Sequence, residues 1–108
     1  MRQRGRVDAN QTEIVKYFRG CGYSVAITSN VGGGFPDIVV GKYGHTILVE
    51  IKDGSKPPSK RKLTDDEADF HSSWRGAACV IETIEDIEKL DKWLRDTYQN
   101  FAHNIDSL

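Results

Sequence analysis

Apolar residues recur at helical spacing in three stretches of the chain, and in four others they alternate or run unbroken as in strands. Ile14, Tyr17, Phe18 and Cys21 share one face of a first helix, with Lys16 and Arg19 opposite. Asn10-Gln11-Thr12-Glu13 has the form of a capping box, so the helix is expected to start near Asn10 and to end at Gly20 and Gly22. "YSVAITS", residues 23–29, alternates and is rich in β-formers, which predicts a strand. Beyond the glycine loop "NVGGGFP", the segments "DIVVG" and "HTILVEIK" predict two strands joined by a short turn around Lys42-Tyr43-Gly44.

The next segment, "DGSKPPSKRK", holds two prolines, a glycine and four basic residues, a composition that excludes regular structure. A second helix follows, capped by Thr64, with Leu63, Phe70 and Trp74 on one stripe. After Gly76 comes a short strand, "AACVIE". Thr83 then caps a final helix carrying Ile84, Ile87, Leu90 and Leu94. The order αβββαβα predicts an α/β fold, a small mixed sheet flanked by helices, because a lone meander would leave one face bare.

Composition narrows the class. A chain of 108 residues suffices for a single domain spanning 1–108 with one core. Within it, residues 1–8 read as a flexible basic arm, 53–62 as a basic mobile loop and 99–108 as a tail. Hydrophobic content of 38% with 29% charged residues fits a globular protein rather than a disordered one. No apolar run approaches a membrane span and "MRQRGRVDANQ" has no hydrophobic region behind it, so no membrane association is expected. With two reduced cysteines and no export signal, the expected location is the cytoplasm. Cys21 and Cys79 match no metal or redox spacing and read as reduced core residues.

Charge adds one feature. The formal net charge of −1 argues against a purely electrostatic nucleic-acid binder, yet the charges are segregated. Arg2, Arg4 and Arg6 cluster at the start and Lys56, Lys60, Arg61 and Lys62 in the middle, while acids dominate Asp65–Asp69 and Glu82–Asp96. Such local patches can hold phosphates on a neutral molecule. The alternative is solvated segments that contact nothing.

The candidate chemistry lies in "GGGFPDIVVGKYGHTILVEIKDG", residues 32–54. Strand alternation puts Glu50 and Lys52 on one face. A hairpin turning near Tyr43 places Asp37 across from Val49 or Glu50, so the Asp37 and Glu50 carboxylates come within joint reach of one cation. Two like charges so close are destabilising without something positive between them. Lys52 can neutralise one and a divalent metal both, and Mg²⁺ suits a sparse acid-lined notch. Gly32, Gly33 and Gly34 let another backbone, such as a phosphodiester, approach Asp37. These are the parts of metal-assisted phosphodiester hydrolysis, with Lys52 orienting water or stabilising developing charge. Against this stands a plainer reading: Asp37 simply opens a strand, and Glu50–Lys52 is an exposed pair on an edge.

The combination "FPD…VEIK" behind a capped helix with a glutamate resembles the PD-(D/E)XK nuclease superfamily. The longer pattern "GGGFPDIVV…ILVEIK…LTDDEADFHSSWRGAACVIETIEDI" is similar to its VRR-NUC branch of virus-type replication and repair nucleases, from about Glu13 to Ile87. The resemblance implies a restriction-endonuclease-like core and a Mg²⁺- or Mn²⁺-dependent DNA endonuclease. Asp37 and Glu50 would be the metal ligands, with the Ile51 backbone carbonyl completing the shell. Lys52 would be the catalytic lysine and Glu13 the helix-borne acid. It also implies Holliday-junction-resolvase-like action on branched DNA as a homodimer. Lys56, Lys60, Arg61, Lys62, Gly33 and Gly34 are the candidate DNA contacts.

Several positions keep two readings. Glu13 fits the third position of the capping box as well as a site facing the sheet. Glu67 falls on the stripe of Leu63, Phe70 and Trp74, where Lys52 or a metal-bound water could partner it. The family pattern more often has glutamine here, and pairing with His71 is the other option. Ser29 and Asn30 suit a turn as well as a DNA contact. Trp74 and Trp93 read as core or interface residues, and Trp93, Tyr98 and Phe101 are the candidate dimer contacts. The competing functional class is a catalytically inactive DNA-binding or assembly module on the same fold, which would bind DNA in a salt-sensitive, metal-indifferent way.

Overall fold

Tyr43 and Gly44 carry positive φ values of 56° and 76°, the backbone of a two-residue hairpin turn that matches strand twist. That turn fixes the register of β2 (Ile38–Lys42) and β3 (His45–Ile51), from Lys42 opposite His45 to Ile38 opposite Val49. In this computed structural model residues 9–106 are described, with side chains from Asn10 to Gln99. The arginines of the expected arm, Arg2, Arg4 and Arg6, lie outside the described residues, as do the last two residues of the expected tail.

β1 (Ser24–Ile27) pairs antiparallel with β2, and β4 (Ala78–Ile81) pairs parallel with β3, giving a four-stranded mixed sheet in the order β1-β2-β3-β4. A parallel neighbour needs a crossover. Here it is made by the segment 52–64 and helix α2 (Asp65–Ser73). Helices α1 (Ala9–Gly20) and α3 (Ile84–Asp106) complete the order αβββαβα expected of the sequence.

The sheet's two faces differ. Ile38, Val40, Ile47, Val49, Ile51 and Ile81 meet Ile14 and Phe18 of α1 and Ile87 and Leu94 of α3 in the core. Fully buried residues such as Phe18 and Ile38 contribute about 1.5–3 kcal/mol each. The opposite face carries Leu48 and Glu50, and α2 docks on the glycine loop that precedes β2. There Phe35 meets the Phe70 ring edge-on at 5.2 Å. A side chain at Gly34 would collide with the Asp66 carbonyl, so the glycine loop runs directly against the first turn of α2. The backbone that Gly34 admits is therefore the chain's own.

The structure corrects several expectations. Asn10 is already helical and is no cap. The segment 53–62 is not wholly irregular, because Pro58–Lys60 form a turn of 3₁₀ helix. Residues 99–106, expected as a tail, continue α3. Trp74 and Trp93 are no core residues, at 43% and 57% exposed. By contrast, Thr64 caps α2 in a full capping box, and Asp86 N donates to Thr83 Oγ1 at the start of α3. Cys21 and Cys79 are free thiols, half-buried against the core. Among the described residues no helix is long and apolar enough to cross a membrane.

Candidate active site

One step beyond the Ile38–Val49 pair, the register sets Asp37 opposite Glu50. β2 does not continue there. Asp37 Oδ2 instead accepts the backbone N–H of Ile51 at 2.8 Å, so a carboxylate caps the point where the ladder ends. The Asp37 backbone is held from β1, its carbonyl accepting Thr28 N–H at 2.8 Å. Thr28 Oγ1 donates to the Pro36 carbonyl at 2.7 Å.

Glu50 is 2% exposed, and its Oε1 meets no N–H donor; once protonated, the carboxyl has the Asp37 and Glu67 carboxylates as hydrogen-bond partners. Its Oε2 lies 3.7 Å from Lys52 Nζ, while Lys52 reaches Glu67 Oε1 at 2.8 Å. Burial first, then the charges of Asp37 and Glu67, push the Glu50 carboxyl up to about 9. Without a cation it is therefore protonated at neutral pH. Burial alone would lower the Lys52 amine, but the Glu67 hydrogen bond and the charges of Glu67, Glu50 and Asp37 raise it above its usual value. Burial likewise acts to raise Glu67, and the bonds from Lys52 and Thr64 N–H override it and hold this carboxyl low.

Strand alternation and the turn thus bring Asp37, Glu50 and Lys52 together as expected. Ile51 follows Glu50 and bonds Asp37 through its N–H, and in an extended strand its carbonyl shares that side. Glu13 is apart from this group. It is exposed on α1 and lines a cavity with Asp53, Ser55, Glu82 and Glu85. Lys56, Lys60 and Lys62 are exposed. Arg61 is engaged internally, its Nε donating to the Lys56 carbonyl at 2.7 Å and its Nη1 lying 3.2 Å from Glu82 Oε1. At Gly33, φ 65°, a Cβ would meet open space. Glu67 is bonded to Lys52 and to Thr64 N–H, and His71 takes no part in that arrangement.

Two residues at the head of α1 belong to the site's support and were not foreseen. Asn10 Nδ2 donates to the Lys52 carbonyl at 2.8 Å. Gln11, buried, donates from Nε2 to Ser29 Oγ at 3.0 Å, and Ser29 in turn approaches the Asp37 carbonyl at 3.4 Å. Gln11 had left a trace: it stands at helical spacing from Ile14, Val15 and Phe18, a polar side chain on an apolar stripe.

The donors suit a hard cation: two carboxylates, one of them with a buried oxygen that meets no N–H donor, and a nearby carbonyl. Among the described residues no three or more His, Cys, Asp or Glu side chains form a metal-holding group. An ion on this pair would keep coordination positions for water and substrate oxygens, as Mg²⁺ commonly does. No family model, curated protein or solved structure matches the chain.

Proposed function

We propose that the protein is a Mg²⁺- or Mn²⁺-dependent DNA endonuclease that hydrolyses phosphodiester bonds in branched or structured DNA and works as a homodimer. The observation that carries this reading is the buried Glu50 carboxyl beside Asp37, whose Oε1 receives no N–H donor, with the Lys52 amine at its rim. A carboxyl so enclosed is costly to ionise unless a cation arrives with it. Such an ion, when bound, supplies polarisation of a phosphoryl oxygen and a lowered pKa for attacking water. Asp37 and Glu50 would fix it from neighbouring strands, with Glu50 giving up its proton.

Lys52, held as an ammonium, faces the negative charge that develops on the phosphate. Exposed Lys56, Lys60 and Lys62 offer contacts to the flanking phosphates, and Arg61 shapes the loop that presents them. The first turn of α2 is acidic, which argues against this helix reading bases and favours recognition of DNA shape over sequence. The resemblance to the PD-(D/E)XK nucleases and their VRR-NUC branch supports the same chemistry and the same residues. Two symmetric cuts need two sites, which C2 pairing supplies. Trp93 and Tyr98, 57% and 45% exposed near the β2–β3 turn, provide apolar surface for it.

The test is cleavage of four-way junction, flap and duplex DNA with and without Mg²⁺ or Mn²⁺. Cleavage should require the metal and fall at least about 100-fold in Glu50→Gln and Lys52→Ala. Undiminished cleavage by either variant refutes the site. Salt-sensitive binding that ignores metal and yields no product identifies a non-catalytic module instead.

A further inference from the structure

Lys52 could neutralise Glu50 directly, since the two side chains leave the same face of β3. It does not do so. Its amine lies 2.8 Å from Glu67 Oε1 and 3.7 Å from Glu50 Oε2, and Glu50 Oε1 receives no hydrogen bond from it. The oxygen that draws the amine away is itself fixed. Glu67 Oε1 also accepts Thr64 N–H at 2.9 Å, while Glu67 N–H donates to Thr64 Oγ1 at 3.2 Å. The turn that carries this carboxylate is seated against Gly34, three residues before Asp37. A capping box, ordinarily a local device, here reaches across to the end of β3.

We propose that Glu67 is a positioning residue: through one oxygen shared between Thr64 N–H and the Lys52 amine, it holds that amine beside the Asp37–Glu50 pair rather than on it. The pair stays open to a cation. Without Glu67 the amine is free to swing onto Glu50 and compete for the place. The role rests on the cation-dependent reading above, and it requires an acceptor oxygen rather than a charge. Glutamine at this position would therefore serve, since its amide oxygen can accept both donors, whereas methionine keeps the length and helix preference but accepts neither.

Two measurements test it. In the metal-free protein, ¹⁵N NMR of lysine side chains should show a Lys52 amine protected from exchange, which is lost in Lys52→Met and in Glu67→Met and retained in Glu67→Gln. Thr64→Val, which weakens the cap but leaves the backbone N–H, should lower the melting temperature and keep the resonance, so that loss of helix stability is separated from loss of position. The second measurement is Mn²⁺ binding by calorimetry. Glu67→Met should bind about 10-fold or more weakly, Glu67→Gln like the wild type, and Lys52→Met/Glu67→Met should recover affinity because the competitor is gone. The proposal is overturned if the wild type shows no protected Lys52 amine, if Glu67→Met changes neither readout, or if the double variant binds no better than Glu67→Met. A wild type that binds no Mn²⁺ removes the cation reading, and the amine resonance still decides whether Glu67 places Lys52.

Discussion

The side-chain amide of Asn10 donates to the backbone carbonyl of Lys52 across 42 positions of sequence, at 2.8 Å. This single bond ties the head of α1 to the residue where β3 leaves the sheet. Asn10→Ala removes a partly buried bond and should cost about 0.5–1.5 kcal/mol in urea unfolding. Because the freed carbonyl adjoins the lysine, cleavage should fall more than the stability loss alone explains. Cleavage at wild-type rates by the folded variant would reduce Asn10 to a simple anchor.

Stability without metal should decline from acid to mildly alkaline pH. The Glu50 carboxyl is raised from 4.5 to about 9, so between those limits the folded chain binds a proton that the unfolded chain has released. Its contribution is fully present below pH 4.5 and is lost as pH rises toward about 9. The slope approaches about 1.4 kcal/mol per pH unit in that window. Glu50→Gln, neutral at every pH, should flatten the difference between urea midpoints at pH 5.5 and 8.5. Parallel profiles for the two proteins would mean that Glu50 does not carry this proton.

Divalent metal should reverse that trend. Uptake of Mg²⁺ or Mn²⁺ by the pair, as proposed, would displace the Glu50 proton, so affinity and thermal protection should both increase from pH 6 to pH 8. At 100 times the dissociation constant the protection amounts to about 2.7 kcal/mol. Differential scanning fluorimetry with Mn²⁺ should show the shift for the wild type and none for Asp37→Asn or Glu50→Gln. A shift that survives in both places the ion elsewhere.

The glycine loop offers a graded test. Gly33 and Gly34 both have positive φ, 65° and 81°, but only Gly34 lies against α2. Gly33→Ala should cost about 1–2 kcal/mol for the left-handed backbone. Gly34→Ala adds a clash with the Asp66 carbonyl and should cost about 1–3 kcal/mol more. Equal losses in thermal unfolding would mean that the loop does not support α2.

Most of the fold was legible because local rules agreed with the tertiary outcome. The Tyr43–Gly44 turn, the alternation through β3 and the caps at Thr64 and Thr83 each depend on residues close in sequence. The same locality made Asp37, Glu50 and Lys52 readable as one group, since a single tight turn sets their register. What was hidden depends on contacts between distant segments. Asn10-Gln11-Thr12-Glu13 reads as a cap by its spacing, but docking against β3 and Ser29 draws Asn10 and Gln11 inward and leaves Glu13 outside. Arg61 looked like its basic neighbours. Only the fold brings Glu82 beside it and takes it out of their company.

The segment from Lys52 to Glu67 leaves the sheet and returns, its two feet joined by a 2.8 Å amine–carboxylate bond. Most of what lies between is a loop whose ends are already pinned, and closing a somewhat longer loop adds only about 0.6 kcal/mol per doubling of length. Residues can therefore be added or exchanged around its 3₁₀ turn while the feet stay planted. A change at the tip therefore leaves the amine–carboxylate bond at the base in place.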